Sequence, residues 1–178
     1  MASRPVILGI DPGTRFMGVA VVRGTELLDY GVHQLRNGDR ADDLLAHGKE
    51  VLFTIIRDHC PVVVAIETPY LIASKRGAVL TTLAEMLRQR STEFGIAVQE
   101  LSPEEVRTRV TGNPRARKIE VAATLAHQFR ELGRMVPRQP RAPALWLTSR
   151  ERYWLHMFDA LAIAMASSAI QGRLPESS

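Results

Sequence analysis

Cysteine is almost missing from this sequence. One residue, Cys60, stands among 178. That excludes an internal disulfide framework and any zinc site built from several thiolates. Aromatic residues are sparse, at 6%. No stretch approaches the roughly 20 uninterrupted apolar residues that a bilayer-spanning helix requires. Met1 to Val6 has no signal-peptide layout, because its apolar run is short and Asp11 follows closely. Internal repeats are absent, and low complexity is confined to one Pro/Arg segment. These absences point to a soluble protein in a reducing, cytoplasmic setting, with no membrane partner. What is present is ordinary: 46% hydrophobic and 24% charged residues suit a globular chain. The length fits one domain with a core large enough to need no staples. That domain is expected to span 1–172, with a frayed tail over 173–178 and Cys60 buried at a helix end.

The charge is modest overall and uneven along the chain. The net value is +4. Between Arg107 and Arg152 there are eleven Lys/Arg against three Asp/Glu, a local +8, so the remainder carries −4. Such an excess is the electrostatic footprint of a phosphate-rich partner, or else a solvated basic loop.

The apolar pattern predicts the order βββαβαβαα(α). Val6 to Ile10 is a β-branched run ending in Asp11-Pro12-Gly13-Thr14, a strand entering a tight turn. Met17 to Val22 and Glu26 to Leu35 continue it as an antiparallel meander. Asp39 is positioned to cap a helix carrying Leu44, Leu45, Val51, Leu52, Ile55 and Ile56, which Pro61 stops. Val62 to Ile66 reads as a strand covered on both faces. A loop over 68–76 precedes a helix from Gly77 to Phe94, ended by Gly95, and a fifth strand runs from Ile96 to Leu101. Ser102-Pro103-Glu104-Glu105 is a capping box opening a short helix. A further helix spans Ala116 to Leu132, ended by Gly133. An irregular basic segment follows from about 134 to 150, and a last helix runs from Ser149 to Ile170. The expected architecture is α/β, a mixed five-stranded sheet with helices on both faces.

Three acids stand out by position. Asp11 and Glu67 each close a buried strand, and Asp159 lies inside an apolar helical stretch. A carboxylate in such surroundings is costly unless paired, hydrogen-bonded or metal-bound. His156, three residues before Asp159, projects from the same helix face. Adjacent strands would make these groups converge. Hard oxygen ligands of this kind suit Mg²⁺ or Mn²⁺ rather than zinc, and two such ions can hold and hydrolyse a phosphodiester. Taken singly, each residue has a plainer reading: a turn former, a solvated strand end, an ordinary helix pair.

The motifs resemble a known family. Ile7-Leu8-Gly9-Ile10-Asp11-Pro12-Gly13-Thr14 with Gly18 is similar to the first motif of the RuvC family of Holliday-junction resolvases. Ala65-Ile66-Glu67 with Tyr70 resembles its second motif, and His156-Met157-Phe158-Asp159-Ala160-Leu161-Ala162-Ile163-Ala164 its last. The resemblance implies a ribonuclease H-like fold and a homodimer. It also implies a divalent-metal-dependent endonuclease that cuts four-way DNA junctions in recombination and repair. Asp11, Glu67, His156 and Asp159 would be the catalytic and metal-binding set, with Mg²⁺ or Mn²⁺ in a two-metal site. Tyr70, Lys75, Arg76, Arg107, Arg115, Arg117 and Lys118 would contact nucleic acid, and a branch-migration motor would be a further partner. His156 follows the His-x-x-Asp version of the last motif rather than the all-acid one.

Two features depart from the family pattern. Leu80, Leu83, Met86 and Leu87 are bulky where small residues commonly serve a dimer contact. The stretch from Lys118 to Asp159 is long and holds Arg134, Arg138, Arg141, Trp146, Arg150, Arg152, Tyr153 and Trp154. That stretch is either a basic, aromatic nucleic-acid arm or a surface excursion packed on the domain. Other functions consistent with the motifs are a YqgF-like nuclease acting on RNA or other branched substrates, and a non-catalytic junction-binding protein. An actin-like kinase shares the Asp-x-Gly-Thr turn but needs two domains, for which this chain is too short.

Overall fold

The computed structural model describes residues 4–35, 41–68, 75–137 and 147–171. Tyr70, Arg138, Arg141, Trp146, the Asp39 cap and the 173–178 tail lie outside the described residues, as do the side chains of Lys75 and Arg76.

Five strands form one sheet in the order β3-β2-β1-β4-β5. They are β1 (Val6–Asp11), β2 (Phe16–Arg23), β3 (Glu26–Gln34), β4 (Val63–Glu67) and β5 (Ala97–Leu101). The first three are antiparallel, and β1, β4 and β5 run parallel. The helices are α1 (Ala41–His59), α2 (Lys75–Glu93), α3 (Pro103–Thr111), α4 (Lys118–Gln128) and α5 (Ser149–Gln171), with a 3₁₀ helix over Arg130–Met135.

Strand alternation divides the core in two. Leu8, Ile10, Val19 and Val21 face one side, where Leu44, Leu52 and Ile55 of α1 and Leu83 and Leu87 of α2 cover them. Ile7, Ala20, Val22, Val63 and Ala65 face the other side, under α3, α4 and α5. Helices on both faces of a mixed sheet is the architecture the sequence predicts. The bulky α2 side chains Leu83 and Leu87 are spent on this core.

Glycine decides how closely α5 lies on the sheet. A Cβ at Gly9 would stand 2.2 Å from the carbonyl oxygen of Ala160, and one at Gly18 only 1.9 Å from that of His156. Only bare backbone fits there, so the helix backbone rests directly on β1 and β2.

Several boundaries differ from the sequence reading. Lys75 already lies in α2, which shortens the expected 68–76 loop. Gly133 does not end a continuous helix. α4 stops at Gln128, and Gly133 and Arg134 sit inside the 3₁₀ helix, whose Leu132 is fully buried. Cys60 is exposed rather than buried, because it takes φ +48° to turn the chain from α1 toward Pro61. The capping box at Ser102 is present: the Glu105 amide donates to Ser102 Oγ at 3.2 Å, and the Ser102 amide to Glu105 at 2.9 Å. No helix among the described residues is long and apolar enough to cross a membrane.

Candidate active site

Asp11 and Glu67 are the last residues of two neighbouring parallel strands. The register pairs Gly9 with Ala65 and Ile10 with Ile66, so the next step sets Asp11 beside Glu67. By the two-residue period both side chains share the face of Gly9 and Ala65, which is the face α5 covers. The close seat of α5 then brings His156 and Asp159 over the same strand ends.

The contacts follow. His156 Nδ1 lies 2.7 Å from Asp11 Oδ2. Asp159 Oδ2 accepts a hydrogen bond from the Lys118 ammonium at the start of α4. Glu67, Arg107, Lys118 and Asp159 line one small pocket between the C-terminal end of β4, α3, α4 and α5. Asp11 is only 9% exposed.

The electrostatics of the pocket are those of crowded, poorly hydrated acids. Burial, reinforced by the charges of Asp159 and Asp11, raises Glu67 to about 7, against the pull of Lys118 and Arg107. Burial also raises Asp159 above the ordinary aspartate range. Lys118 pulls it back, and Asp11 adds to the rise. Desolvation beside the acids works against the Lys118 charge, but Asp159, Asp11 and Glu67 outweigh it and hold the amine above the ordinary lysine range. Lys118 and Arg107 only partly offset the three clustered carboxylates, since Glu67 and Asp159 both stay raised.

The donor set fits a hard divalent cation. It offers carboxylate oxygens and one imidazole, and no thiolate. Among the described residues no three His, Cys, Asp or Glu side chains enclose an ion by themselves. A hard ion such as Mg²⁺ is commonly held by one or two carboxylates, with water and phosphate oxygens completing its octahedron.

The remaining sequence-predicted residues fall into separate groups. Arg107 is half-buried in the pocket. Arg115 is exposed between α3 and α4. Arg117 is exposed, and its guanidinium meets Glu120 at 3.2 Å. In the sequence, Gly9 and Gly18 stand only as letters of the first motif. Their positioning role had one visible signal, glycines inside otherwise β-branched strands.

Sheet order, crossing helix and acid-tipped strands together define a ribonuclease H-like α/β protein. Comparison with known proteins narrows the class. The family model described as "Crossover junction endodeoxyribonuclease RuvC" matches residues 7–142, well over half of the chain. The chain belongs to the RuvC family of crossover junction endodeoxyribonucleases. It is 32% identical over 130 residues to the enzyme of that name from Bacteroides fragilis, covering 67% of this chain and 66% of the relative. It is 32% identical over 133 residues to the one from Pelodictyon phaeoclathratiforme, covering 70% and 68%. The chain thus spans about two thirds of the length of these curated relatives. The solved structure of Thermus thermophilus RuvC is similar with a TM-score of 0.70 at 22% identity, over 94% of this chain and 96% of that one. A second structure, of T. thermophilus RuvC in complex with Holliday junction substrate, gives 0.70 at 20%, over 96% and 97%. The family match ends before α5, so His156 and Asp159 rest on the fold and their contacts.

Proposed function

We propose that this protein is a divalent-metal-dependent endonuclease that cuts four-way DNA junctions by paired phosphodiester hydrolysis. The observation that carries the reading is that Glu67 and Asp159 line one strand-end pocket with Lys118 and Arg107, while Asp11, beside Glu67 at the strand ends, is held by His156.

In this reading Asp11, Glu67 and Asp159 would hold Mg²⁺ or Mn²⁺, with His156 as a nitrogen donor to a second ion. Bound ions of this kind supply an activated water and charge stabilisation for the leaving 3′ oxygen. The chain's own groups do the rest. Asp11 accepts from the Nδ1–H of His156 and fixes the ring, leaving Nε2 as the basic nitrogen. Lys118 keeps Asp159 ionised and is a point charge for a phosphate oxygen. Arg107 offers a bidentate grip on a neighbouring phosphate. The half-buried Glu67 and buried Asp11 keep bulk water from screening the acids.

Lys75, Arg76, Arg115 and Arg117 are read as backbone-positioning contacts, which carry no base information. Tyr70 is read as a ring that stacks at the branch point. A homodimer would present two such sites to the two strands of a symmetric junction, and a branch-migration motor would feed it substrate. A cytoplasmic setting and one nuclease unit over 1–172 go with this reading.

The test is a substrate panel of four-way junctions, flaps, linear duplex and structured RNA, with Mg²⁺ or Mn²⁺. The expected result is paired symmetric nicks in the junction, and an Asp159→Asn variant that binds the junction without cutting it. Equal cutting by that variant, or cutting of RNA in preference, overturns the proposal.

A further inference from the structure

A groove of about 710 Å³ adjoins the acid pocket at the opposite end of the same stretch of α5. Arg15 and Phe16, at the entry to β2, form one wall. Arg150, Arg152, Tyr153 and Trp154, from the first turns of α5, form the other, and His156 stands where groove and acid site meet. We propose that this groove carries the stretch of DNA strand next to the phosphate being cut, with its phosphates on the three arginines and one sugar or base against the rings. This rests on the nuclease reading given above.

Charge is the first argument. A polyanion brought to three carboxylates is repelled unless positive charge flanks them. Arg107 and Lys118 stand on the Asp159 side. On the His156 side, Arg15, Arg150 and Arg152 are exposed, and among the described residues none of them pairs with a carboxylate. Arg15 instead lies over the Phe16 ring, 5.2 Å from its centroid. The nearest acid in sequence, Glu151, is occupied as the cap of α5. It accepts from the amide and hydroxyl of Thr148, each at 2.8 Å. A strand passing over the acids therefore meets cations before and after them.

Preorganisation is the second. Phe16 and Tyr153 meet edge to face at 5.3 Å, and Tyr153 and Trp154 at 5.2 Å. The Tyr153 hydroxyl donates to the Val32 carbonyl at 2.8 Å, which ties the start of α5 to β3. Trp154 packs its inner side on the core. The rings are thus held in place before any ligand arrives, and a fixed aromatic wall accepts a base without sequence preference. The volume lies within the range of ordinary ligand sites.

The test uses the arginines, because truncating the rings would disturb the fold. Affinity for a fluorescent four-way junction is measured without divalent cation, from about 50 to 200 mM salt. The proposal expects the double variant Arg150→Ala/Arg152→Ala to lower the steepness of log K against log salt by about 1.8, the value for two lost phosphate contacts. Arg23→Ala/Arg57→Ala removes the same charge from residues paired with Glu26 and Asp58, and it keeps the wild-type slope. Neutral methylphosphonates at the phosphates flanking the cut should weaken wild-type binding and add nothing in the Arg150/Arg152 variant. An unchanged slope in that variant, an equal drop in the Arg23/Arg57 variant, or additive methylphosphonate losses overturns the groove assignment while leaving the nuclease reading intact. A wild-type protein that does not bind the junction refutes the nuclease reading first, and the groove with it.

Discussion

Substituting alanine at Gly18 asks whether the close seat of α5 assembles the site. The new Cβ would stand 1.9 Å from the His156 carbonyl oxygen and 2.4 Å from its carbon. Real Cβ atoms essentially never approach closer than 3.0 Å, so helix and strand must part there by about 1.1 Å. β2 is hydrogen-bonded on both sides, to β1 and β3, so the helix is the partner that moves. Forcing a tight core apart costs about 1–3 kcal/mol. The same displacement carries the His156 ring away from Asp11 and Asp159 away from the strand ends. A misplacement of roughly 1 Å at a reacting centre costs on the order of 100-fold in rate. Denaturant titration and single-turnover nicking of a four-way junction measure the two effects. Gly133→Ala is the control, because its Cβ would meet nothing within 4 Å and its stability should change by less than about 0.5 kcal/mol. A Gly18→Ala protein with wild-type stability and rate would refute the reasoning.

Four other outcomes are expected. Asp11→Asn removes a charge from the proposed cation site and leaves His156 only a neutral amide as partner, and should lower the nicking rate by at least about 100-fold while leaving junction binding measurable by gel shift. Glu67 titrates near 7 in the folded protein against 4.5 as its ordinary value. The metal-free fold therefore binds an extra proton in that window and loses stability as pH rises from about 4.5 to 7, and thermal melts of Glu67→Gln should lack that slope. Titrating Mg²⁺ into wild-type protein near pH 6.5 should release protons, seen as buffer-dependent heats in calorimetry, and Glu67→Gln should abolish most of the release. Tyr153→Phe loses the bond to the Val32 carbonyl and should cost about 0.5–1.5 kcal/mol in urea titration.

The positions of the acids were legible because each breaks a strong local pattern. Asp11 and Glu67 interrupt β-branched runs at their ends, and Asp159 interrupts an apolar helix. The sheet was legible for the same reason: the run read as Val62 to Ile66 is apolar throughout, and Val63 to Ile66 do lie inside, while Val62 falls outside β4 and is exposed. What joins these residues was not legible. That β1 and β4 are neighbours, and in a register that points Asp11 and Glu67 the same way, is a tertiary fact. The contact between Lys118 and Asp159 spans 41 residues and follows from how α4 packs on α5. Gly133 looked like a helix stop, but burial of Leu132 tightens the chain into a 3₁₀ turn instead. Cys60 reads as a small hydrophobe, yet the turn from α1 toward Pro61 demands a positive φ and pushes it into solvent. Tyr153 and Trp154 read equally as arm or as packing. The packing is plain in the bond to Val32 and the contact of Trp154 with the core.

The most direct measurement is strand-resolved nicking of a mobile four-way junction by wild-type protein and the Asp11→Asn variant, across a Mg²⁺ titration from none to millimolar. The account predicts paired nicks at symmetric positions that appear only with the ion, only in the junction and not in linear duplex, and not with the variant. Cutting that proceeds without the ion, or that survives loss of the Asp11 carboxylate, would contradict it.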